Sequence, residues 1–152
     1  MKKHFKKAIA VIIIIILVRN KIPFSRPSIT VKYNGNTIET AVDLYTWVPK
    51  NSGGNSGLGE ALPKVEKELN ATTVKKGDKI KFRFNTILKQ PIKGVKIVMV
   101  NKETFAPHVY PGQRIKSNYF NAPEEKGEYL YVITGVWDDT HYASYIIKIN
   151  VE

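Results

Sequence analysis

The chain has 152 residues, enough for one domain with a real hydrophobic core and a short targeting segment, so no metal or disulfide is needed to hold the fold. Lys and Arg number 24 against 13 Asp and Glu, but residues 1–26 hold seven of the cations and no acid, which leaves 17 basic against 13 acidic side chains in residues 27–152. A nucleic-acid partner, which calls for a basic stripe on the domain itself, is therefore disfavoured. The lack of cysteine excludes a disulfide framework, a thiolate metal site, a cysteine nucleophile and a lipid-modified N-terminal cysteine.

The N-terminus begins with a cluster of lysines followed by an unbroken apolar run from Ala8 to Val18, a pattern typical of targeting segments. Eleven helical residues span about 17 Å, short of the roughly 30 Å hydrocarbon core, although flanking apolar residues and snorkelling lysines extend the reach. No small-x-small cleavage site follows the run. We expect residues 1–26 to form a signal-anchor helix plus a short linker, with residues 5–18 in the membrane and residues 27–152 outside the cell. Cleavage of a signal peptide and secretion of the domain is the alternative.

The first part of the domain carries strand and turn signals. Residues 29–33 alternate apolar and polar side chains, and Asn34-Gly35 predicts a turn into a strand over residues 37–40. A further strand is predicted over residues 42–48. The glycine-rich residues 50–59 predict a flexible loop.

The middle of the domain contains two clear strands and one segment whose secondary structure the sequence leaves open. Residues 61–69 fit either a short helix with Pro63 in its first turn or an extended segment. Residues 79–84 alternate cleanly, so the apolar side chains point inward and the basic ones face water. The inward set is Ile80, Phe82 and Phe84, and the outward set is Lys79, Lys81 and Arg83. Residues 95–100 are apolar at nearly every position, which is typical of a central strand.

The last part predicts an irregular segment over residues 101–118 and then two long strands, residues 128–136 and 142–151, joined by a turn at residues 138–141. The residues expected to share the buried face of these two strands are Tyr129, Tyr131, Ile133, Tyr145, Ile147, Ile149 and Val151. With seven or eight strands, frequent turns and little helix, the chain predicts a mainly β antiparallel sandwich.

The stretch Phe120-x-x-Pro123-x-x-x-Gly127-x-Tyr129-x-Tyr131 resembles the penultimate strand of immunoglobulin-like and cupredoxin β-sandwiches. In cupredoxins a copper-binding cysteine follows the second aromatic residue by two positions, where this chain has isoleucine. His108 and His141 alone cannot make the His₂Cys site of blue copper, because the chain has no cysteine. The resemblance implies the fold without the metal.

A wider resemblance covers residues 29–151 and points to uncharacterised, membrane- or lipid-anchored immunoglobulin-like domains of Gram-positive bacteria. The motifs that carry it are Tyr45-x-Trp47, the Gly77-Asp78 turn before a strand, the Phe/Pro/Gly/Tyr stretch, and Trp137 followed by Tyr142 and Tyr145. Many members have a lipobox cysteine, which this chain lacks, and this favours a peptide anchor. The resemblance implies a location and a fold but no established activity.

Catalytic and metal-binding templates do not fit. Gly54 and Gly59 have P-loop spacing, but Glu60 follows where the phosphate-binding lysine is required. Ser56 lacks the glycine two residues later that a hydrolase elbow needs. His141 beside Asp138 and Asp139 reads as a polar hairpin tip, and two carboxylates fall short of the six to eight oxygens that calcium takes. We therefore predict no enzyme activity, no cofactor and no metal site.

Two sets of side chains are candidates for an interaction surface. Four aromatic residues suit either a recognition surface or the core of a sandwich: Tyr45, Trp47, Trp137 and Tyr142. The basic set Lys79, Lys81 and Arg83 suits anionic wall polymers or lipid headgroups. The sequence thus predicts a non-catalytic, membrane-tethered extracytoplasmic domain for binding, sensing or envelope interaction. The alternatives are an envelope hydrolase with a dispersed active site, or an accessory subunit that contacts another envelope protein.

Overall fold

A computed structural model describes residues 22, 23, 25–48, 56–58, 62–86, 90, 91, 94–100, 113–115 and 117–152. The predicted membrane helix, residues 5–18, lies outside this part of the chain. Within the part that is described, no helix has both the length and the hydropathy needed to cross a bilayer. The fold is mainly β, with one short helix.

The described residues form eleven strands and a helix. In chain order these are β1 (Ile29–Tyr33), β2 (Asn36–Ile38), β3 (Ala41–Trp47), β4 (Ser56–Leu58), α1 (Leu62–Glu68), β5 (Thr72–Val74), β6 (Lys79–Phe84), β7 (Gly94–Val100), β8 (Gln113–Ile115), β9 (Tyr119–Asn121), β10 (Gly127–Asp138) and β11 (His141–Val151).

The strands form two sheets. Sheet I has the order β2-β1-β6-β9, and all of its pairs are antiparallel. Sheet II has the order β4-β3-β11-β10-β7-β8 and is antiparallel along that path. The short β5 extends it by pairing in parallel with the end of β11, from Ile149↔Thr72 to Val151↔Val74.

One hydrophobic core joins the two sheets. It contains the inward side chains of β1 and β6 from sheet I and those of β7, β10 and β11 from sheet II. Phe84 of sheet I packs edge-on against Trp137 of sheet II, with ring centroids 5.4 Å apart. Phe120 and Tyr131 make a second contact between the sheets at 5.0 Å. Aromatic pairs in this geometry stabilise a fold beyond the area that they bury.

A smaller core lies on the opposite, outer face of sheet II, beneath α1. Val65 and Leu69 from the helix region cluster there with three sheet II residues, Val100, Leu130 and Ile146. Lys148 of β11 fixes the helix end, because its Nζ donates to the backbone oxygen of Glu66 at 2.7 Å and lies 3.4 Å from a carboxylate oxygen of Glu128. The helix therefore covers one part of the outer face of sheet II.

The sequence predictions hold for the long strands and need correction for the short ones. The expected inward set of β6 and β11 is buried, and the helix option for residues 61–69 is confirmed by α1. Residues 56–58, predicted as part of a flexible loop, form β4 because they pair with β3. Residues 113–115, predicted as irregular, form β8 against β7. The strand predicted over residues 37–40 is Asn36–Ile38, and β5 was not predicted.

Candidate functional site: the basic face of sheet I

The outer face of sheet I carries four cationic side chains. Strict alternation in β6 buries Ile80, Phe82 and Phe84 and leaves the three basic residues between them exposed. This confirms the inward and outward sets expected from the sequence. Strand β1 adds Lys32, which is exposed between the buried Val31 and Tyr33. We call the exposed Lys32, Lys79, Lys81 and Arg83 the basic face.

The strand register brings two of these cations together. Lys32 of β1 lies directly opposite Lys81 of β6, and Thr30 lies opposite Arg83. Side chains opposite each other on one face have Cβ atoms about 5 Å apart, and like charges in that position destabilise a sheet. The arrangement is therefore unfavourable for the protein alone and becomes favourable when an anion lies between the two ammonium groups.

The basic face is concave. A hollow of about 900 Å³ follows β6 along its whole length on the outer side of sheet I. At one end its lining includes Asn34, Gly35, Gly77 and Asp78, and at the other Asn85, while Asn118 lines it beside Phe82 on the β9 side. Most of the side chains that line it are polar or cationic, and four of them carry a positive charge, although their aliphatic carbons also contribute surface. A polar anion suits it better than an apolar molecule.

Few acidic groups neutralise this hollow. Among the described residues, none of the four basic side chains forms an ion pair with an acid. Asp78, which borders the hollow, accepts a hydrogen bond of 2.7 Å from the hydroxyl of Tyr33. Lys79 instead places its Nζ 4.7 Å from the ring centroid of Tyr119. The charge of the face is thus available to a ligand.

The start of β6 is fixed by a tight turn. Gly77 has a φ of +71°, a left-handed conformation that glycine adopts without strain. The backbone N–H of Asp78 donates to the carbonyl of Lys75 at 3.2 Å, and the N–H of Ala122 donates to the carbonyl of Asp78 at 2.8 Å. These bonds hold the first residue of the cationic row in place at the edge of the hollow.

The predicted aromatic surface does not exist as a unit. Trp47 and Trp137 are 7% and 1% exposed and pack edge-on in the core, with ring centroids 5.0 Å apart. Of the two alternatives for these tryptophans, the structure therefore shows the core and not an exposed recognition surface, because both belong to the cluster between the two sheets. Tyr45 is half-buried against the same core, under the guanidinium of Arg26 at 4.0 Å. Tyr142 is half-buried, and alternation along β11 puts it on the other face of sheet II.

Lys32 is the basic residue that the sequence reading missed. Its signal was present, because the alternation of residues 29–33 that predicts β1 also puts Lys32 on the outer side. What was missing was the pairing of β1 with β6, which brings together residues 49 positions apart, Lys32 and Lys81. Pairing between strands so distant in the chain cannot be read from local periodicity.

His141 and Asp138 form a pair at the tip of the β10–β11 hairpin. The Nδ1 atom of His141 lies 2.8 Å from Oδ1 of Asp138, and the hydroxyl of Thr140 donates to the same oxygen at 3.1 Å. The imidazole is 6% exposed and packs edge-on against Trp47 at 5.1 Å. The hydroxyl of Ser144, the serine of β11, is 2.8 Å from that of Thr134. The pair thus closes the turn and packs it against the aromatic core, as expected for a polar hairpin tip.

This pair predicts a stability loss at acid pH. Partial burial by itself raises the pKa of Asp138, but hydrogen bonds from His141 and from the backbone and hydroxyl of Thr140 outweigh it and lower the pKa below its ordinary value. A carboxyl with a lowered pKa in the folded state stabilises the fold above its unfolded pKa, about 4, and this contribution is lost as the pH falls through the folded pKa. We expect Asp138→Asn to destabilise the protein by about 1 kcal/mol at neutral pH. The difference from wild type should shrink toward pH 3.

Denaturant unfolding at a series of pH values measures this difference. Glu125→Gln, at an exposed acid outside this turn, is the control and should change the stability at low pH little. An equal gap between wild type and Asp138→Asn at all pH values would show that the carboxylate does not carry the effect.

Comparison with known proteins identifies no protein family and no curated sequence that matches this chain. The described residues also contain no group of three or more His, Asp or Glu side chains placed to hold a metal ion. The basic face is therefore the feature on which a functional assignment rests.

Proposed function

We propose that this chain is a non-catalytic, membrane-tethered extracytoplasmic domain that binds phosphate groups of the cell envelope through the basic face. The observation that carries the proposal is the set of four exposed cations along a hollow, two of them directly opposite each other, with no acid paired to them among the described residues. The phosphates of wall polymers and of lipid headgroups share the chemistry that such a face recognises. The N-terminal apolar run supports the location.

We further propose that the two sheets form an immunoglobulin-like sandwich. The orders β1-β6-β9 and β11-β10-β7-β8 correspond to strands A-B-E and G-F-C-C′ of that fold. Tyr129, near the start of β10, donates its hydroxyl to the backbone oxygen of Glu125 at 3.0 Å. A tyrosine that bonds back to the preceding corner at the start of strand F is typical of immunoglobulin-like domains. Both features support the immunoglobulin-like type.

Binding is favoured over hydrolysis by the geometry around His141. A hydrolase would need the imidazole accessible to a substrate and close to a nucleophile. The ring of His141 is instead buried against Trp47, and its Nδ1 lies within hydrogen-bond distance of two residues of its own turn. An accessory-subunit function through the aromatic residues is disfavoured for a similar reason, since Trp47 and Trp137 are buried.

Cosedimentation with Gram-positive envelope preparations tests the proposed function. The full chain, purified in nonionic detergent, should bind at low ionic strength and be released at about 1 M salt, where charge interactions are screened within about 3 Å. The variant Lys79→Gln/Lys81→Gln/Arg83→Gln should lose most of the binding. Lys67→Gln, at an exposed lysine of α1, is the control and should bind as wild type does.

The location is tested separately in intact cells. Fractionation should find the protein with the membrane, and protease added to protoplasts should degrade the domain. A cytosolic protein, or one that the protease leaves intact, would contradict the placement. Binding to envelopes that the triple variant retains in full would contradict the assignment to the basic face.

A further inference from the structure

We propose that the ligand of the basic face is a linear polyphosphodiester, laid along β6 with one phosphate at each of Lys79, Lys81 and Arg83. The inference rests on the proposed function and names the class of anion. It follows from the spacing of the cations, the shape of the hollow and the chemistry of its lining.

The spacing of the cations matches that of a phosphodiester chain. Side chains on one face of a strand recur every two residues, which places the Cβ atoms of successive cationic residues of β6 about 7 Å apart. A chain in which three carbons link successive phosphates has six bonds from one phosphorus to the next. Two peptide residues also have six backbone bonds and span about 7 Å when extended, so the two repeats agree. Each phosphate therefore meets one cation without compression of either chain.

The shape of the hollow favours a chain over a flat surface. It runs the length of β6 and is bordered at both ends, by the Asn34-Gly35 turn and by Asn85. An elongated hollow of this kind accommodates an extended polymer along its length, so that successive groups of one chain contact successive cations. Lys32, opposite Lys81, adds a second cation at the middle position, so the central phosphate lies between two ammonium groups.

The lining favours a polyol phosphate over a nucleic acid. Proteins that bind single-stranded nucleic acids add aromatic side chains on which bases stack, each contributing about 1–3 kcal/mol. Among the described lining residues the aromatic one is Phe82, which is 4% exposed. The nearby ring of Tyr119 has Lys79 over its face. The side chains beside the cations are instead Thr30, Asn34 and Asn118, which suit the hydroxyl groups of a polyol linker.

The test compares ligands that differ in length and in linker. Fluorescence competition with the full chain in nonionic micelles would use glycerol phosphate oligomers with one, three and six phosphates. The affinity should rise on the order of 100-fold from one phosphate to three, because linked groups bind at high effective concentration, and little more from three to six. The logarithm of the binding constant should fall against log salt with a slope of about −2 for three contacts. Arg83→Gln, which removes the cation at one of the outer phosphates, should reduce the slope by about 0.7, and Lys67→Gln should leave it unchanged.

Three results would overturn the inference, and each has a separate meaning. If inorganic phosphate, or phosphatidylglycerol in mixed micelles, competes as well per phosphate as the oligomer, the face binds isolated headgroups, and the proposed function stands without the polymer. If oligothymidylate with the same number of phosphates binds more tightly, the ligand is a nucleic acid. If no phosphate compound binds, the proposed function fails as well.

Discussion

Replacement of Trp137 with alanine is expected to lower the free energy of unfolding by about 3–5 kcal/mol, the range for truncation of a buried tryptophan. Trp137 is 1% exposed and packs edge-on against Trp47 within sheet II and against Phe84 of sheet I. Loss of the indole therefore removes contacts on both sides of the core and leaves a cavity. Denaturant unfolding of the full chain in nonionic micelles, followed by the emission of Trp47, measures the change.

Tyr142→Ala provides the matched control for this experiment. Tyr142 lies on the same hairpin, close to Trp137 in sequence, but on the outer face of sheet II, where it is half-buried. Its truncation should cost about 1 kcal/mol, within the range of partly exposed positions. If both variants lowered the free energy of unfolding by the same small amount, the indole of Trp137 would not lie in the core. That result would contradict the packing of the two sheets described above.

Gly135→Ala is expected to destabilise the protein by about 1–3 kcal/mol, although alanine is a small residue. Gly135 of β10 lies under the ring of Phe84, and a Cβ atom at this position would be only 2.6 Å from the nearest ring carbon. Phe84 is 1% exposed and held by neighbouring rings, so it cannot move aside freely. The added methyl group therefore forces a shift in a packed core.

A double-mutant cycle identifies the cause of that loss. Phe84→Leu removes the ring edge that the new Cβ would meet, so the double variant should be less destabilised than the sum of the two single variants by about 0.5–3 kcal/mol. Unfolding midpoints and slopes of all four proteins supply the cycle. Strict additivity would show that Gly135 is required for a reason other than the approach of Phe84.

The sequence predicted the parts of the fold whose signal is local. Alternation in residues 79–84 comes from a strand with one buried face, and the regular apolar positions of residues 142–151 mark the inner face of β11; both strands bury the expected side chains. The same alternation of side chains, continued along β10 from Tyr129 to Trp137, puts the tryptophan on the inner face. Trp137 could therefore have been assigned to the core from sequence alone.

The features that could not be predicted depend on partners that are distant in the chain. Strands β4, β5 and β8 have three residues each, too few for a period, and exist because β3, β11 and β7 supply hydrogen-bonding edges. Ile146 is buried on the outer face of sheet II because α1 covers it. The same distinction applies to the candidate site. The three cationic residues of β6 follow from local alternation, whereas the position of Lys32 beside them depends on the pairing of β1 with β6.

The basic face is a consequence of how sheet I is built. Sheet I buries one side against sheet II, and the side chains that alternate with that core must face outward. In β6 all three of these positions are cationic, and the register with β1 adds a fourth cation beside them. A solvated sheet face with no ligand would gain stability from mixed charges across the strands. The concentration of one sign in a hollow is what the binding hypothesis explains.

The most direct test is a map of backbone amide shifts as the full chain in micelles is titrated with the six-phosphate glycerol oligomer. We expect the shifted amides to cluster on Lys32, on Lys79–Arg83 and around Asn118, and the outer face of sheet II to stay unchanged. Shifts concentrated near Tyr142 or at the Asp138–His141 hairpin tip, or no shifts at low salt, would contradict this expectation.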